Sequence, residues 1–260
     1  MVAVGNHEYD HEENSTSPSG TDISGVTGPS YHPEWGDYRD DSYGECGVTT
    51  AKRFAMPQSP DSNGVFWYSF NYGPVHFLVW SSEHNFTVGS RQHAWIEQDL
   101  NQVNRTETPW LVVQMHRPMY ASEGADGPED KHLIVADHIR QQLEELFVAA
   151  NVDLVMTGHL HSYERTCAVL DNGTACDPQK GIVNLRVGTA GGTSDNCKVA
   201  DPLCPNNDTM SFLNDTMWRE VGLYEYGYSR ITIPNASFLH LEFILNNSTV
   251  ADERWLHRSH

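Results

Sequence analysis

Gly158-His159-Leu160-His161 sets two imidazoles two residues apart. In extended backbone such residues project to the same side, so both rings can face one metal ion, or each can face one of a pair. Two-metal hydrolases hold their ions roughly 3.5–4 Å apart, a separation that two such rings can span. Gly158 lets the backbone turn tightly just ahead of them. Gly5-Asn6-His7-Glu8 offers an amide oxygen, a neutral ligand for a divalent ion, beside an imidazole free to face a substrate. His116-Arg117-Pro118 adds one more imidazole. Taken singly, Gly-Asn-His is an ordinary turn, and a lone His at a strand end is more often structural than a ligand. Their combination and order carry the signal.

Each segment follows a run that reads as a buried strand, at residues 2–4, 110–115 and 152–156. Loops at the ends of buried strands are where α/β proteins place reactive groups. Residues 65–70 and 75–80 flank Asn71-Tyr72-Gly73-Pro74, a hairpin signal. Ser90 caps a helix expected over 91–103. Leu133, Ile134, Ile139, Leu143, Leu146 and Phe147 recur at helical spacing within 130–150. Strands at 182–187, 228–233 and 238–245 make a β-rich C-terminal portion at about 180–260, whereas residues 5–60 are polar and read as long loops. Strands alternating with helices and then running on as strands predict an α/β protein, with sheets packed face to face and helices outside. A chain of 260 residues fits one large domain, here taken as residues 1–260.

The formal net charge of -19 argues against nucleic acid as a partner, since binding its backbone needs clustered Lys and Arg. The acidity reads as a solvated surface. No apolar stretch is long enough to cross a bilayer. Sequons at Asn14, Asn85, Asn104, Asn172, Asn207, Asn214, Asn235, Asn246 and Asn247 point to N-glycans and a secreted protein. Cys167 with Cys176, and Cys197 with Cys204, lie across short Gly/Asn/Asp/Pro-rich loops and are expected to form two disulfides in an oxidising compartment. Cys46 is left over, as a buried free thiol or as one whose partner lies outside this sequence. There is no room for a signal peptide ahead of Gly5, so the start reads as artificial.

Gly5-Asn6-His7-Glu8, Ser81-Ser82-Glu83-His84, Met115-His116-Arg117-Pro118-Met119-Tyr120 and Gly158-His159-Leu160-His161-Ser162-Tyr163-Glu164-Arg165 resemble segments of the purple acid phosphatases, in the metallophosphoesterase superfamily. So do Gly188-Thr189-Ala190-Gly191-Gly192, Tyr226-Gly227-Tyr228 and Trp255-Leu256-His257-Arg258, and the likeness spans nearly the whole chain. The resemblance implies a four-layer α/β/β/α sandwich and hydrolysis of small phosphate monoesters at a dinuclear centre of Fe3+ with Zn2+, Mn2+ or Fe2+. It implies that Asn6, His116 and His159 ligate the divalent ion and that His161 ligates the ferric one. His7 would stand beside the leaving group, and His132 would help hold the phosphate. Glu83-His84 reads as structural at least as well as catalytic, and Tyr163-Glu164-Arg165 as support for the His loop.

One departure is large. The family's Asp-x-Gly and Gly-Asp-x-x-Tyr segments come before Gly-Asn-His-Glu, and the four residues ahead of Gly5 hold neither. The expectation is therefore an N-terminally truncated domain, short of its first-metal ligands and inactive or weakly active. The alternatives are another metallophosphoesterase, such as a nucleotidase or phosphodiesterase, and a non-catalytic secreted glycoprotein that retains the scaffold.

Overall fold

The structure is a computed structural model that describes residues 1–8, 47–124, 131–191, 211–213 and 216–258. In chain order its elements are α1 (Val48–Arg53), β1 (Tyr68–Tyr72), β2 (Val75–Val79), α2 (Arg91–Gln102), β3 (Trp110–Gln114), β4 (Glu123–Gly124) and α3 (Lys131–Ala149). They continue as β5 (Leu154–Thr157), β6 (Tyr163–Leu170), β7 (Ala175–Cys176), β8 (Ile182–Val187), β9 (Ser211–Phe212), β10 (Arg219–Leu223), β11 (Gly227–Thr232), β12 (Phe238–Leu245) and β13 (Val250–His257).

An eight-stranded sheet runs β1-β2-β3-β5-β8-β6-β10, with β7 paired to β6. Its middle strands β2, β3, β5 and β8 are mutually parallel, so their C-terminal ends open on one edge. The expected hairpin forms as β1–β2 and turns at Gly73-Pro74, where Gly73 takes a φ of 54°. The two long helices form where periodicity placed them, and the Ser90 side chain accepts from the His93 N–H as the N-cap of α2.

Alternation along the parallel strands sorts the core into two layers. Leu111 and Val113 of β3 face α2 and α3, packing with Ile96, Leu100, Ile139, Leu143 and Phe147. Trp110 and Val112 of the same strand face the other way, toward Leu239, Leu241 and Phe243 of a second, three-stranded sheet ordered β11-β12-β13. Among the described residues this gives helices, a mixed sheet and a second sheet in succession, three layers of the expected four-layer sandwich.

Asp252 and Glu220, which sequence reasoning missed, bind these layers together with Tyr163 and Arg165. Asp252 of β13 accepts from the Tyr163 hydroxyl at 2.6 Å and from Arg165 Nε and Nη2 at 2.6 and 2.9 Å, clasping the small sheet to β6. Arg165 also pairs with Glu220. The Arg165 and Asp252 side chains are only 5% and 7% exposed, so removing one partner strands the other. Asp252→Ala is expected to cost about 3 kcal/mol. Urea denaturation checks this, and a loss below about 1 kcal/mol, the scale of an exposed pair, would contradict it.

Cys167 and Cys176 are joined in a disulfide across the β6–β7 turn, as their spacing predicted. Cys46, Cys197 and Cys204 lie outside the described residues, as do Asn14, Asn207 and Asn214. The remaining sequon asparagines, Asn85, Asn104, Asn172, Asn235, Asn246 and Asn247, are all exposed. No described helix is long and apolar enough to cross a membrane.

Candidate metal centre

The C-terminal edge of the parallel strands gathers the chemistry. His116 follows β3, and His159 and His161 follow β5. The segment carrying Asn6 is docked by Tyr68, whose hydroxyl donates to the Val2 carbonyl at 2.6 Å and accepts from the Val2 N–H at 3.1 Å. Val4 is buried in the helix-side core, which leaves Gly5 and Asn6 facing His116. Gly5 is required there, because a Cβ would stand 2.8 Å from His116 Cε1.

The His loop is tight. The Gly158 N–H donates to the His116 carbonyl at 2.9 Å, tying the two histidine loops together. His159 has a φ of 70°, a left-handed conformation that a non-glycine residue holds only when its surroundings enforce it. Gly188 is part of the enforcement. Its N–H donates to the Ser162 carbonyl at 3.1 Å, and a Cβ there would lie 1.8 Å from the Leu160 carbonyl oxygen.

Three donor atoms converge. Asn6 Oδ1 is 2.7 Å from His116 Nε2 and 3.1 Å from His159 Nδ1, and the two imidazole nitrogens are 3.0 Å apart. A triangle of that size has points about 2.1 Å from all three corners, the length of a bond from Zn2+ to imidazole nitrogen or carbonyl oxygen. The donor set thus fits a divalent cation. Among the described residues no group of three or more His, Cys, Asp or Glu is disposed to hold an ion, and it is the Asn6 amide that completes this triad.

Electrostatics keep the rings neutral. Burial first, then Arg117, His7 and His161, push His116 down to about 3. His159 is pushed well below its ordinary range by burial, Arg117, His116, His132 and His161. A neutral imidazole is the form that ligates. These influences also place His7 and His161 near the triad. The groups that act on His159 are Arg117, His116, His132 and His161, and Arg117 is itself paired with Glu83.

A stability consequence follows from the sign of the His116 shift. The unfolded chain takes up a proton near pH 6.5 that the folded chain refuses until about pH 3. Between those values the unfolded state binds more protons, so stability is full above pH 6.5 and falls as pH drops toward 3. The urea midpoint of the metal-free chain should decline from pH 7 to pH 4, and less steeply in His116→Gln.

Arg117 and Glu83 lie just behind the triad. Arg117 Nε donates to Glu83 Oε1 and Oε2 at 2.8 and 3.1 Å, with side chains 2% and 4% exposed. Of the two roles open to Glu83-His84, these contacts favour the structural one, and His84 Nδ1 lies 2.8 Å from Ser81 Oγ. Glu164 also acts as support. Arg186 pairs with Glu164 at 2.7 Å and with Glu123 at 2.8 Å, and Glu123 accepts from Ser162 Oγ at 2.5 Å, next to His161. His132 lies against His159. A cavity of about 240 Å³ sits at the opposite edge of the sheet, against Trp110, Asp153, Lys180 and Arg254. It contains none of the expected ligands, so the chemistry is assigned to the open cluster instead.

Comparison with known proteins agrees with this geometry. The family model for calcineurin-like phosphoesterases matches residues 1–163, and that for iron/zinc purple acid phosphatase-like protein C matches residues 181–253. The chain belongs to the calcineurin-like phosphoesterases, in their purple acid phosphatase branch. An Arabidopsis thaliana protein named "Probable inactive purple acid phosphatase 9" is 32% identical over 95% of this chain and 36% of its own length. A Hordeum vulgare protein named nucleotide pyrophosphatase/phosphodiesterase is 28% identical over 100% of this chain and 63% of its own length. The solved purple acid phosphatase PPD1 of yellow lupin (Lupinus luteus) seeds superposes with a TM-score of 0.74 at 26% identity, over 100% of this chain and 41% of that one. The chain thus spans 36% of the first relative's length and 41% of the lupin enzyme's. Purple acid phosphatases are metallophosphoesterases, and the family implies a dinuclear metal centre.

Proposed function

We propose that this chain carries the divalent-cation half of a dinuclear phosphomonoesterase centre. In this reading Asn6, His116 and His159 hold the divalent ion, and His161 reaches toward the ferric position. The observation that carries it is the approach of Asn6 Oδ1, His116 Nε2 and His159 Nδ1 to one another, at 2.7, 3.0 and 3.1 Å. Zn2+, Mn2+ or Fe2+ bound there, with Fe3+ beside it, supplies Lewis acidity toward a phosphoryl oxygen and lowers the pKa of water. His7 is exposed and acts electrostatically on His116, which supports a role as hydrogen-bond donor to the departing ester oxygen. The donor triad, with His7, His132 and His161 near it, supports a small phosphate monoester as the substrate.

The same surroundings argue for weak activity. Neutral ligands without a carboxylate hold two cations poorly, and a trivalent ion most poorly of all. The exposed sequons and the Cys167–Cys176 disulfide support passage through an oxidising secretory compartment.

The barley relative's name favours a second reading, in which a phosphodiester or pyrophosphate is the substrate. Para-nitrophenyl phosphate, bis(para-nitrophenyl) phosphate and a nucleotide pyrophosphate, each incubated with the Fe3+- and Zn2+-loaded chain, separate the two. Slow hydrolysis confined to the monoester is the expected result. Preference for either of the others would favour the second reading, and no turnover with zinc bound would make the chain a non-catalytic scaffold.

A further inference from the structure

His159 has partners at both ring nitrogens. Nδ1 faces Asn6 Oδ1 at 3.1 Å and His116 Nε2 at 3.0 Å. Nε2 faces His132 Nδ1 at 3.0 Å and Arg117 Nη1 at 3.2 Å. A neutral imidazole carries one N–H, and these surroundings distinguish the two places it can sit.

With the hydrogen on Nδ1, the ring donates to Asn6 Oδ1 and accepts at Nε2 from Arg117 Nη1. Both ring nitrogens are then satisfied with no cation present. With the hydrogen on Nε2, Arg117 is no partner, because every guanidinium nitrogen donates and none accepts. His132 Nδ1 can accept it. The lone pair of Nδ1 then points to where Asn6 and His116 bring their own, which is the form a cation needs. Both forms use the ring where it stands, so moving from one to the other requires only that the proton change nitrogen.

We propose that His159 is a tautomeric switch with two positioning residues, in which His132 selects the cation-ready form and Arg117 the cation-free form. Glu83 fixes Arg117 in place through its two carboxylate contacts. His132 Nδ1 is thereby assigned to His159 instead of to phosphate. A ligating His commonly has its far N–H held by an acceptor, and loss of that acceptor typically costs about 10–100-fold in metal affinity.

The proposal rests on reading the triad as a cation site, and the test separates the two. Two-bond 1H–15N spectra of the 15N-labelled, metal-free chain at pH 7.5 distinguish Nδ1–H from Nε2–H at His159. Zn2+ titration calorimetry reads affinity. His132→Leu removes the acceptor, whereas His132→Asn places an amide oxygen near the position of Nδ1. The expected result is that His132→Leu moves His159 toward Nδ1–H and weakens Zn2+ binding about 10–100-fold. His132→Asn should recover most of both. An unmoved tautomer balance in His132→Leu, or a loss in His132→Asn equal to that in His132→Leu, overturns the role of His132. If the unaltered chain binds no Zn2+, the cation site itself is overturned, while the metal-free spectra still report whether the His132–His159 bond exists.

Discussion

Replacing His116 or His159 by Ala is expected to lower Zn2+ affinity by more than about 100-fold, a larger effect than loss of an outer hydrogen-bond partner. The reason is the size of the donor set. Three neutral atoms converge, and among the described residues no group of three or more His, Cys, Asp or Glu stands ready to hold the ion when one is lost. Two remaining donors chelate a divalent ion no better than a dipeptide would. The effect has a second readout, because a ligand that binds only the folded state raises its stability by about 2.7 kcal/mol at a hundredfold excess over Kd. Zinc should therefore raise the urea midpoint of the unaltered chain and leave those of His116→Ala and His159→Ala unmoved. His240 serves as the control imidazole, since it stacks on Trp255 on the face of the small sheet opposite Leu239 and Leu241. His240→Ala should keep full zinc affinity, and an equal loss there would mean that the metal binds imidazoles indiscriminately.

Arg117→Met should produce a stability loss of about 3–5 kcal/mol. Glu83 would keep its hydrogen bond from Ser82 Oγ at 2.8 Å but lose the guanidinium that neutralises it, in a site where its side chain is 4% exposed. A carboxylate left there must protonate or draw in water, and both cost stability. The test is the double variant Glu83→Leu with Arg117→Met. If the cost is that of a stranded charge, the double change recovers much of the loss, because a buried ion pair often exchanges evenly for apolar groups. A double variant as unstable as Arg117→Met alone would place the cost in packing.

The architecture was legible where periodicity is clean. The α2 helix carries its cap at Ser90, α3 carries a full apolar face, and β3 and β12 are apolar runs of strand length. Sequence reasoning missed β6, and the cause is physical. It is buried along nearly its whole length yet opens with Tyr163, Glu164 and Arg165, so it reads as a polar loop. Those side chains are internal because their charges are met inside, by Asp252 and Arg186, and such long-range pairs leave no trace in local pattern. β13 was missed for the opposite reason, since its outward residues Glu253, Trp255 and His257 make an exposed strand resemble a tail.

The triad itself was legible, because His116 and His159 each follow a strand and Asn6 follows the apolar run Val2-Ala3-Val4, although that run forms no strand here. The shell behind it was not. Arg117 sits in the same motif as His116, but its partner Glu83 is 34 residues away. His132 follows no motif spacing, and only the folded structure sets its Nδ1 against His159.

The central claim is that Asn6, His116 and His159 share one cation, and anomalous diffraction at the zinc edge from crystals grown with Zn2+ tests it most directly. A single peak about 2.0–2.2 Å from Asn6 Oδ1, His116 Nε2 and His159 Nδ1 is the predicted result. A peak elsewhere in the molecule, or an empty triad in crystals where zinc is bound at other sites, would contradict it.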